Sequence, residues 1–291
     1  MTTLVIKIGG AAIEDPGILR VCAESVAQLV GEDCRMVIVH GGGKTLSRTL
    51  QRLGIKSEFV DGLRVTDAAT RDVALMVLAG LVNKRLVAAM VHAGMPVLGL
   101  SGGDGGMFRA RKKKVEGRDL GFVGEIANAD VRWLEAIWRQ GGVPVLASVA
   151  LGEDGEYYNV NADEMASACA VACGAEMLTF LTDVDGVRDA SGSVIASLRE
   201  NDIPRLVANA TISGGMLPKL QACTRALRQG VGRVRILAAS KADLLPQLHL
   251  IKEPIKEPIG TEVTRGDFAP AGIAQECAAK EGVEIEYSTA K

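Results

Sequence analysis

Aromatic residues are scarce in this chain, only 3% of 291 residues. A core must therefore come from Ala, Val, Leu and Ile, and single-stranded nucleic-acid binding loses its usual stacking platform. An excess of charge of one sign is also missing. The 33 Lys and Arg against 35 Asp and Glu leave a net charge of −2, which draws the chain neither to nucleic acid nor to an anionic membrane. Histidines number three, and the six cysteines (Cys22, Cys34, Cys169, Cys173, Cys223, Cys277) include no C-x-x-C pair, so no zinc-site spacing is present. Unpatterned cysteines in a long chain read as reduced thiols of a cytoplasmic protein. The start, MTTLVIKIGG, lacks the basic opening and long apolar stretch of a signal peptide. No apolar run approaches the roughly 20 residues needed to span a bilayer.

What the chain has is aliphatic bulk: 48% apolar residues and a mean hydropathy of +0.19, enough for one large domain or two lobes sharing a sheet. Short apolar runs at Leu4–Ile8, Met36–Val39, Val97–Leu100, Val143–Leu146, Met177–Leu181 and Val234–Leu237 read as buried strands. Helix-period segments lie between them, around Ile18–Val30, Thr45–Leu53, Thr70–Val91, Val131–Arg139, Ala162–Cys173 and Met216–Arg228. The alternation predicts an α/β fold with an open, mostly parallel central sheet sandwiched between helices. Ligands in such sheets bind at the carboxyl ends of the strands.

Met107–Lys114 and Phe122–Ile126 break the pattern and read as hairpin strands, as does Gly152–Val160. The basic run Arg109, Arg111, Lys112, Lys113, Lys114 reads as a solvated ribbon, because no comparable cluster accompanies it. KEPIKEPI, from Lys252 to Ile259, is expected to be an extended surface segment, since each proline blocks helix continuation. Beyond about Arg265 a loosely attached tail is expected, with a short helix at Cys277–Gly282.

Three glycine-rich turns follow predicted strands: Lys7-Ile8-Gly9-Gly10, His40-Gly41-Gly42-Gly43-Lys44, and Ser101-Gly102-Gly103-Asp104-Gly105-Gly106. Glycine lets backbone N–H groups approach an anion, and the helix after Gly43 adds the positive end of its dipole. Gly43-Lys44-Thr45 ends like a P-loop, but that motif needs glycine where Ile38 stands. The dinucleotide fingerprint fails at Leu46, so a dehydrogenase is set aside. Lys7, near the end of a buried strand, is costly to bury unless it meets negative charge. Lys219 alone is inconspicuous. In Asn159-Val160-Asn161-Ala162-Asp163 the polar residues either cap the next helix or line a pocket.

The ordered set of KIGG (7–10), VHGGG (39–43), DGLRVT (61–66), LVNK (81–84), NVNAD (159–163), LTDVDGV (181–187), GGMLPK (214–219) and IGT (259–261) resembles the amino-acid kinase family from about Leu4 to Thr264. The resemblance implies two lobes: residues 1–174 binding an acylamino acid and carrying the dimer contact, and 175–264 binding nucleotide. Residues 265–291 match nothing in the family. It implies ATP, with Mg²⁺ carried by the ATP rather than by a protein metal site, and N-acetyl-L-glutamate phosphorylated on its γ-carboxylate. Lys7 and Lys219 would stabilise the transferring phosphoryl group and Asp163 would hold both lysines. Gly9, Gly10 and Gly43 would donate backbone N–H groups to phosphate. Gly42, Gly43, Arg64 and Asn159 would bind the acylamino acid. Asp183, Val184, Asp185, Gly186, Val187, Arg188, Thr211, Ile212 and Ser213 would border the nucleotide. His40, His92 and His249 have no catalytic part in such a mechanism and are expected to be structural. The first strand begins at about residue 3, without a preceding helix, and implies a homodimer insensitive to arginine. N-succinylglutamate, carrier-bound aminoadipate or a non-catalytic ligand sensor remain alternatives; aspartokinase fits less well, for want of a following regulatory domain.

Overall fold

All six apolar runs become strands, and their alternation assigns the two faces of the sheet. The computed structural model describes residues 1–31, 33–115, 117–209, 211–212, 215–250 and 259–266. Within these, the strands are β1 (Thr2–Ile8), β2 (Cys34–His40), β3 (Phe59–Val60), β4 (Leu63–Arg64), β5 (Val97–Ser101), β6 (Phe108–Lys112), β7 (Val123–Ala129), β8 (Val143–Ala147), β9 (Val149–Gly152), β10 (Tyr157–Val160), β11 (Met177–Thr182), β12 (Ser197–Arg199), β13 (Arg233–Ala238) and β14 (Thr261–Thr264). Eight form one open sheet in the order β12-β14-β13-β11-β1-β2-β8-β5, parallel at every pairing except β13 with β14.

On β1 the side chains of Leu4, Ile6 and Ile8 enter one core, with buried residues of helices Pro16–Ala27 and Ala68–His92. Val5 enters the opposite core, with helices Ala162–Ala172 and Met216–Arg228. The period of two puts Lys7 on this second face. A charged side chain thus takes a core position.

The predicted hairpins are present, and they join. β6 runs antiparallel to β7, β7 parallel to β10, β10 antiparallel to β9 and β9 parallel to β6, which closes a four-stranded ring. Local pattern gave no sign of this closure. Phe108 and Ala110 carry the ring into the core that holds Val5. The basic ribbon is ion-paired: Arg111 with Glu125 at 2.7 Å, Lys112 with Asp119 at 2.7 Å, and Lys113 with Glu164.

Helix Ala68–His92 has a π-helical stretch, Met76–Val82, at its centre. By length and composition it could cross a bilayer, contrary to the expectation from apolar runs, yet 44% of its most apolar window is buried inside the protein. Arg71 at one end pairs with Glu156 and stacks on Phe122 at 4.4 Å. It is a half-covered core helix. Helices Gly10–Glu14 and Ile203–Ala208 and the outer strands β12 and β14 are too short to show periodicity, and only the tertiary structure reveals them. Residues 252–258 of the KEPIKEPI segment, and the tail from 267, lie outside the described residues.

Phe108 is fully buried where the ring meets the main core. Phe108→Ala should destabilise the protein by about 3–5 kcal/mol, read as a lower urea midpoint. A loss below about 1 kcal/mol would mean that the ring is not packed into that core.

Candidate active site

Lys7, next to last in β1, and Lys219, in the first turn of helix Met216–Arg228, converge on one carboxylate. Asp163 is the second residue of helix Ala162–Ala172. The cap of that helix is Asn161, whose Oδ1 accepts the N–H groups of Asp163 at 2.9 Å and Glu164 at 3.2 Å. Asp163 is thereby free to face the lysines. Its Oδ2 accepts a hydrogen bond from Lys219 at 2.8 Å. Lys7 Nζ stands 2.9 Å from Oδ1 and forms an ion pair with it. Lys7 is 9% exposed and Lys219 6%.

Burial alone would raise the Asp163 carboxyl, but Lys7 and Lys219 more than offset it and hold the group at about 2. Burial pushes the Lys219 ammonium down, and Asp163 acts against that. Lys219 also lies 5.0 Å from the centre of the Phe180 ring. Two ammonium groups against one carboxylate leave a buried excess of positive charge. Such a cluster favours an incoming anion.

The first two glycine turns lie against each other beside this cluster. A Cβ on Gly10 would come within 3.4 Å of the Gly42 Cα and 3.6 Å of the Gly42 and Gly43 nitrogens. Gly10 and Gly43 open the helices Gly10–Glu14 and Gly43–Arg52, where first-turn N–H groups lack intrahelical acceptors. Gly9 is a correction. Its N–H donates to the Leu181 carbonyl at 2.8 Å, because the β1–β11 pairing continues one residue past the strand, and it has no donor to offer a phosphate. The third glycine turn is no anion cradle either, since Asp104 fills it and accepts from the Ser101 N–H at 2.5 Å and hydroxyl at 3.0 Å.

A cavity of about 160 Å³ opens beside the second turn, lined by Gly42, Gly43, Arg64, Leu78, Ser148 and Asn159 among others. Arg64 is 7% exposed, yet its hydrogen bonds go to neutral oxygens: Ser57 Oγ at 2.5 Å, Ser47 Oγ at 2.7 Å and the Gly43 carbonyl at 3.2 Å. The guanidinium stacks 4.5 Å from the centre of Phe59, and burial pushes its pKa down. A cation so placed suits a ligand carboxylate. Asn159 Nδ2 reaches Thr66 Oγ1 at 3.4 Å.

Asp183–Arg188 leaves the carboxyl end of β11. Asp185 pairs with Arg188 at 3.1 Å and with Lys241 at 3.2 Å, a lysine that sequence reasoning did not single out. Val184 is exposed. The side chains of Val187 and Ile212 are instead buried in the core, which corrects the expectation that they face a ligand. The Val187 peptide is also spent, donating to Thr261 Oγ1 at 2.8 Å and accepting from Ile195 at 2.8 Å. Thr211 is partly buried, its N–H donating to the Leu206 carbonyl at 3.0 Å, and Ser213 lies outside the described residues.

His40 and Asn83 also escaped notice as a pair. Both are fully buried, with Asn83 Nδ2 3.0 Å from His40 Nε2. Burial lowers the His40 imidazole to about 4, so it stays neutral. Burial likewise pushes the Cys22 thiol up to about 12 and Cys223 higher still, which leaves both unreactive. Among the described residues, no group of three or more His, Cys, Asp or Glu is arranged to hold a metal ion.

The sequence profile of the amino acid kinase family matches residues 2–238. The acetylglutamate kinase of Acidobacterium capsulatum is 61% identical over 244 residues, covering 84% of this chain and 94% of its own. That of Koribacter versatilis is 54% identical over 260 residues, covering 89% of this chain and 98% of its own. Among solved structures, N-acetylglutamate synthase from Neisseria gonorrhoeae, complexed with coenzyme A and N-acetyl-glutamate, aligns over 92% of this chain with a TM-score of 0.79 at 26% identity. This chain spans 60% of that synthase's length.

His40 and Asp163 make stability depend on pH. His40 takes a proton at 6.5 when unfolded but only at about 4 when folded, so its contribution is complete above 6.5 and is lost as pH falls towards 4. The difference is on the order of 3 kcal/mol. Asp163 acts lower, its contribution present above 3.8 and lost as pH falls through about 2. Urea midpoints should therefore fall between pH 6.5 and 4, and a flat profile there would contradict the buried neutral imidazole.

Proposed function

This chain belongs to the amino acid kinase family, and on that premise we propose that it phosphorylates the γ-carboxylate of N-acetyl-L-glutamate with ATP, a step of arginine biosynthesis. The observation that carries this reading is the buried Lys7–Asp163–Lys219 cluster, with its surplus positive charge beside two facing glycine turns. A carboxylate nucleophile has a reference pKa of about 4.3 and is ionised at neutral pH, so no general base is required. One γ-carboxylate oxygen attacks the γ-phosphorus of Mg-ATP. The new O–P bond forms as the bond to the β,γ-bridging oxygen breaks, and ADP leaves. Catalysis then depends on alignment and charge neutralisation.

Lys7 and Lys219 neutralise the charge on the transferring group from two sides, and Asp163 keeps both ammonium groups in place. Gly10 and Gly43 donate backbone N–H groups to it. Arg64 turns from serine hydroxyls to the substrate's α-carboxylate, and Gly42 and Asn159 complete the acylamino-acid cavity. The nucleotide lies at the carboxyl ends of β11 and β13, bordered by Asp183 to Gly186, Arg188 and Thr211. Residues up to 174 thus hold the amino acid and those from 175 to 264 the nucleotide. Need for cytosolic ATP puts the enzyme in the cytoplasm.

The same reading makes the protein a homodimer. β5 is an edge strand, and beside it runs an apolar groove of about 570 Å³ lined by Pro96, Leu98, Leu100, Met107, Trp133 and Ile137. Leu98 is 50% exposed and Trp133 56%, a costly surface for a lone chain. Two copies of one patch related by a two-fold axis bury it and close the assembly. Leu98→Glu should give a monomer by light scattering, and an unaltered dimer would place the contact elsewhere.

The activity is tested with Mg-ATP, hydroxylamine and a panel of free and acylated amino acids, hydroxylamine trapping the acyl phosphate. Signal with N-acetylglutamate should exceed that with glutamate, aspartate and N-succinylglutamate. Silence across the panel in protein that binds ATP would sink the reading in favour of a carrier-bound substrate or a sensor. Lys219→Ala should cut kcat by about 10²-fold with a much smaller effect on substrate affinity.

A further inference from the structure

The mechanism above leaves His40 and Asn83 unused, although both are fully buried at the base of the second glycine turn. Asn83 Nδ2 lies 3.0 Å from the Val145 carbonyl, 3.3 Å from the Leu100 carbonyl and 3.0 Å from His40 Nε2. Its Oδ1 accepts from Lys84 Nζ at 3.1 Å. Carbonyl oxygens and an ammonium leave one orientation for the amide, with its nitrogen towards the two carbonyls. Nε2 of His40 therefore faces a donor and must accept. The ring proton is on Nδ1. From there it is donated to the Gly41 carbonyl at 2.8 Å.

That bond has a consequence one atom further on. The Gly41 carbonyl and the Gly42 N–H belong to one peptide plane, and in a trans peptide they point in opposite directions. With the carbonyl held against the imidazole, the N–H is turned away from it. The Gly42 nitrogen borders the facing turn, 3.6 Å from where a Gly10 Cβ would stand. Helix Ala68–His92 braces the same peptide from behind, since a Cβ on Gly42 would meet Leu78 at 2.8 Å and Val82 at 2.9 Å. Asn83 is the residue that follows this π-helical stretch.

We propose that His40 is a positioning residue for phosphoryl transfer: its Nδ1–H locks the Gly41–Gly42 peptide so that the Gly42 N–H points into the cleft between the two glycine turns, and Asn83 fixes the required tautomer. The inference rests on the kinase reading. Imidazole neutrality at working pH keeps the lock constant.

Two isosteric replacements separate positioning from mere packing. In His40→Asn the side-chain amide nitrogen sits near the Nδ1 position and can still reach the Gly41 carbonyl; in His40→Gln it sits near Nε2 and cannot. His40→Asn should keep kcat within about threefold, and His40→Gln should lower it about tenfold or more, with KM for ATP within about threefold, each per folded molecule. Equal kcat for the two variants would overturn the proposal. Should His40→Gln not fold, ¹⁵N NMR of the wild-type histidines decides independently of activity. Protonated Nδ1 with an unprotonated Nε2 at His40 is expected, and the opposite tautomer in an active enzyme would sink this inference alone. A wild type silent in the hydroxamate assay would instead remove the kinase reading, and the role of His40 in transfer with it.

Discussion

Two ammonium groups sharing one buried carboxylate are the constraint around which this structure is arranged. Each charge would be expensive in the interior by itself, and the carboxylate reduces that cost without cancelling it. Lys7 comes from the first strand, and Lys219 is 56 residues beyond Asp163 in the chain. The cluster can therefore exist only where β1 and the ends of two later helices meet on one face of the sheet. It ties the early and late halves together and leaves the surplus charge where an anion can use it.

The glycine turns answer a second constraint, the need to satisfy backbone polar groups where strands end. At the end of β1 the sheet itself takes the Gly9 N–H. At the end of β2 a neutral imidazole donates to the Gly41 carbonyl, and the two N–H groups of one buried amide are shared among that imidazole and the carbonyls of two neighbouring strands. Polar groups with no access to water are worth conserving only as a complete network. Here the network also sets the direction of the peptides that line the cavity.

Arg64 shows the opposite arrangement. Its guanidinium is held by two serine hydroxyls, a carbonyl and an aromatic face, contacts that fix its position without matching its charge. The site thus holds two separate unmet demands for anions, one at the lysines and one at the arginine. On the proposed reading, a substrate with a carboxylate at each end would meet the arginine with one and present the other to the phosphoryl group at the lysines.

Sequence by itself determined the six strands Leu4–Ile8 to Val234–Leu237 and the helices between them, because apolar periodicity is a property of neighbouring residues. It also singled out Lys7, a charge in a buried strand beside two glycines, and the motif order placed Asp163 and Lys219 with it. Tertiary structure decided the rest. Whether Asn161 or Asp163 caps its helix, whether the Gly9 N–H is free, and whether Val187 and Ile212 face a ligand or the core depend on strands and helices far away in the chain. So do the closure of β6, β7, β9 and β10 into a ring and the meeting of His40 with Asn83, 43 residues apart. A hydrogen-bond donor has the same chemistry wherever it lies, but its partner is set by which strand pairs beside it, and that pairing is not written locally.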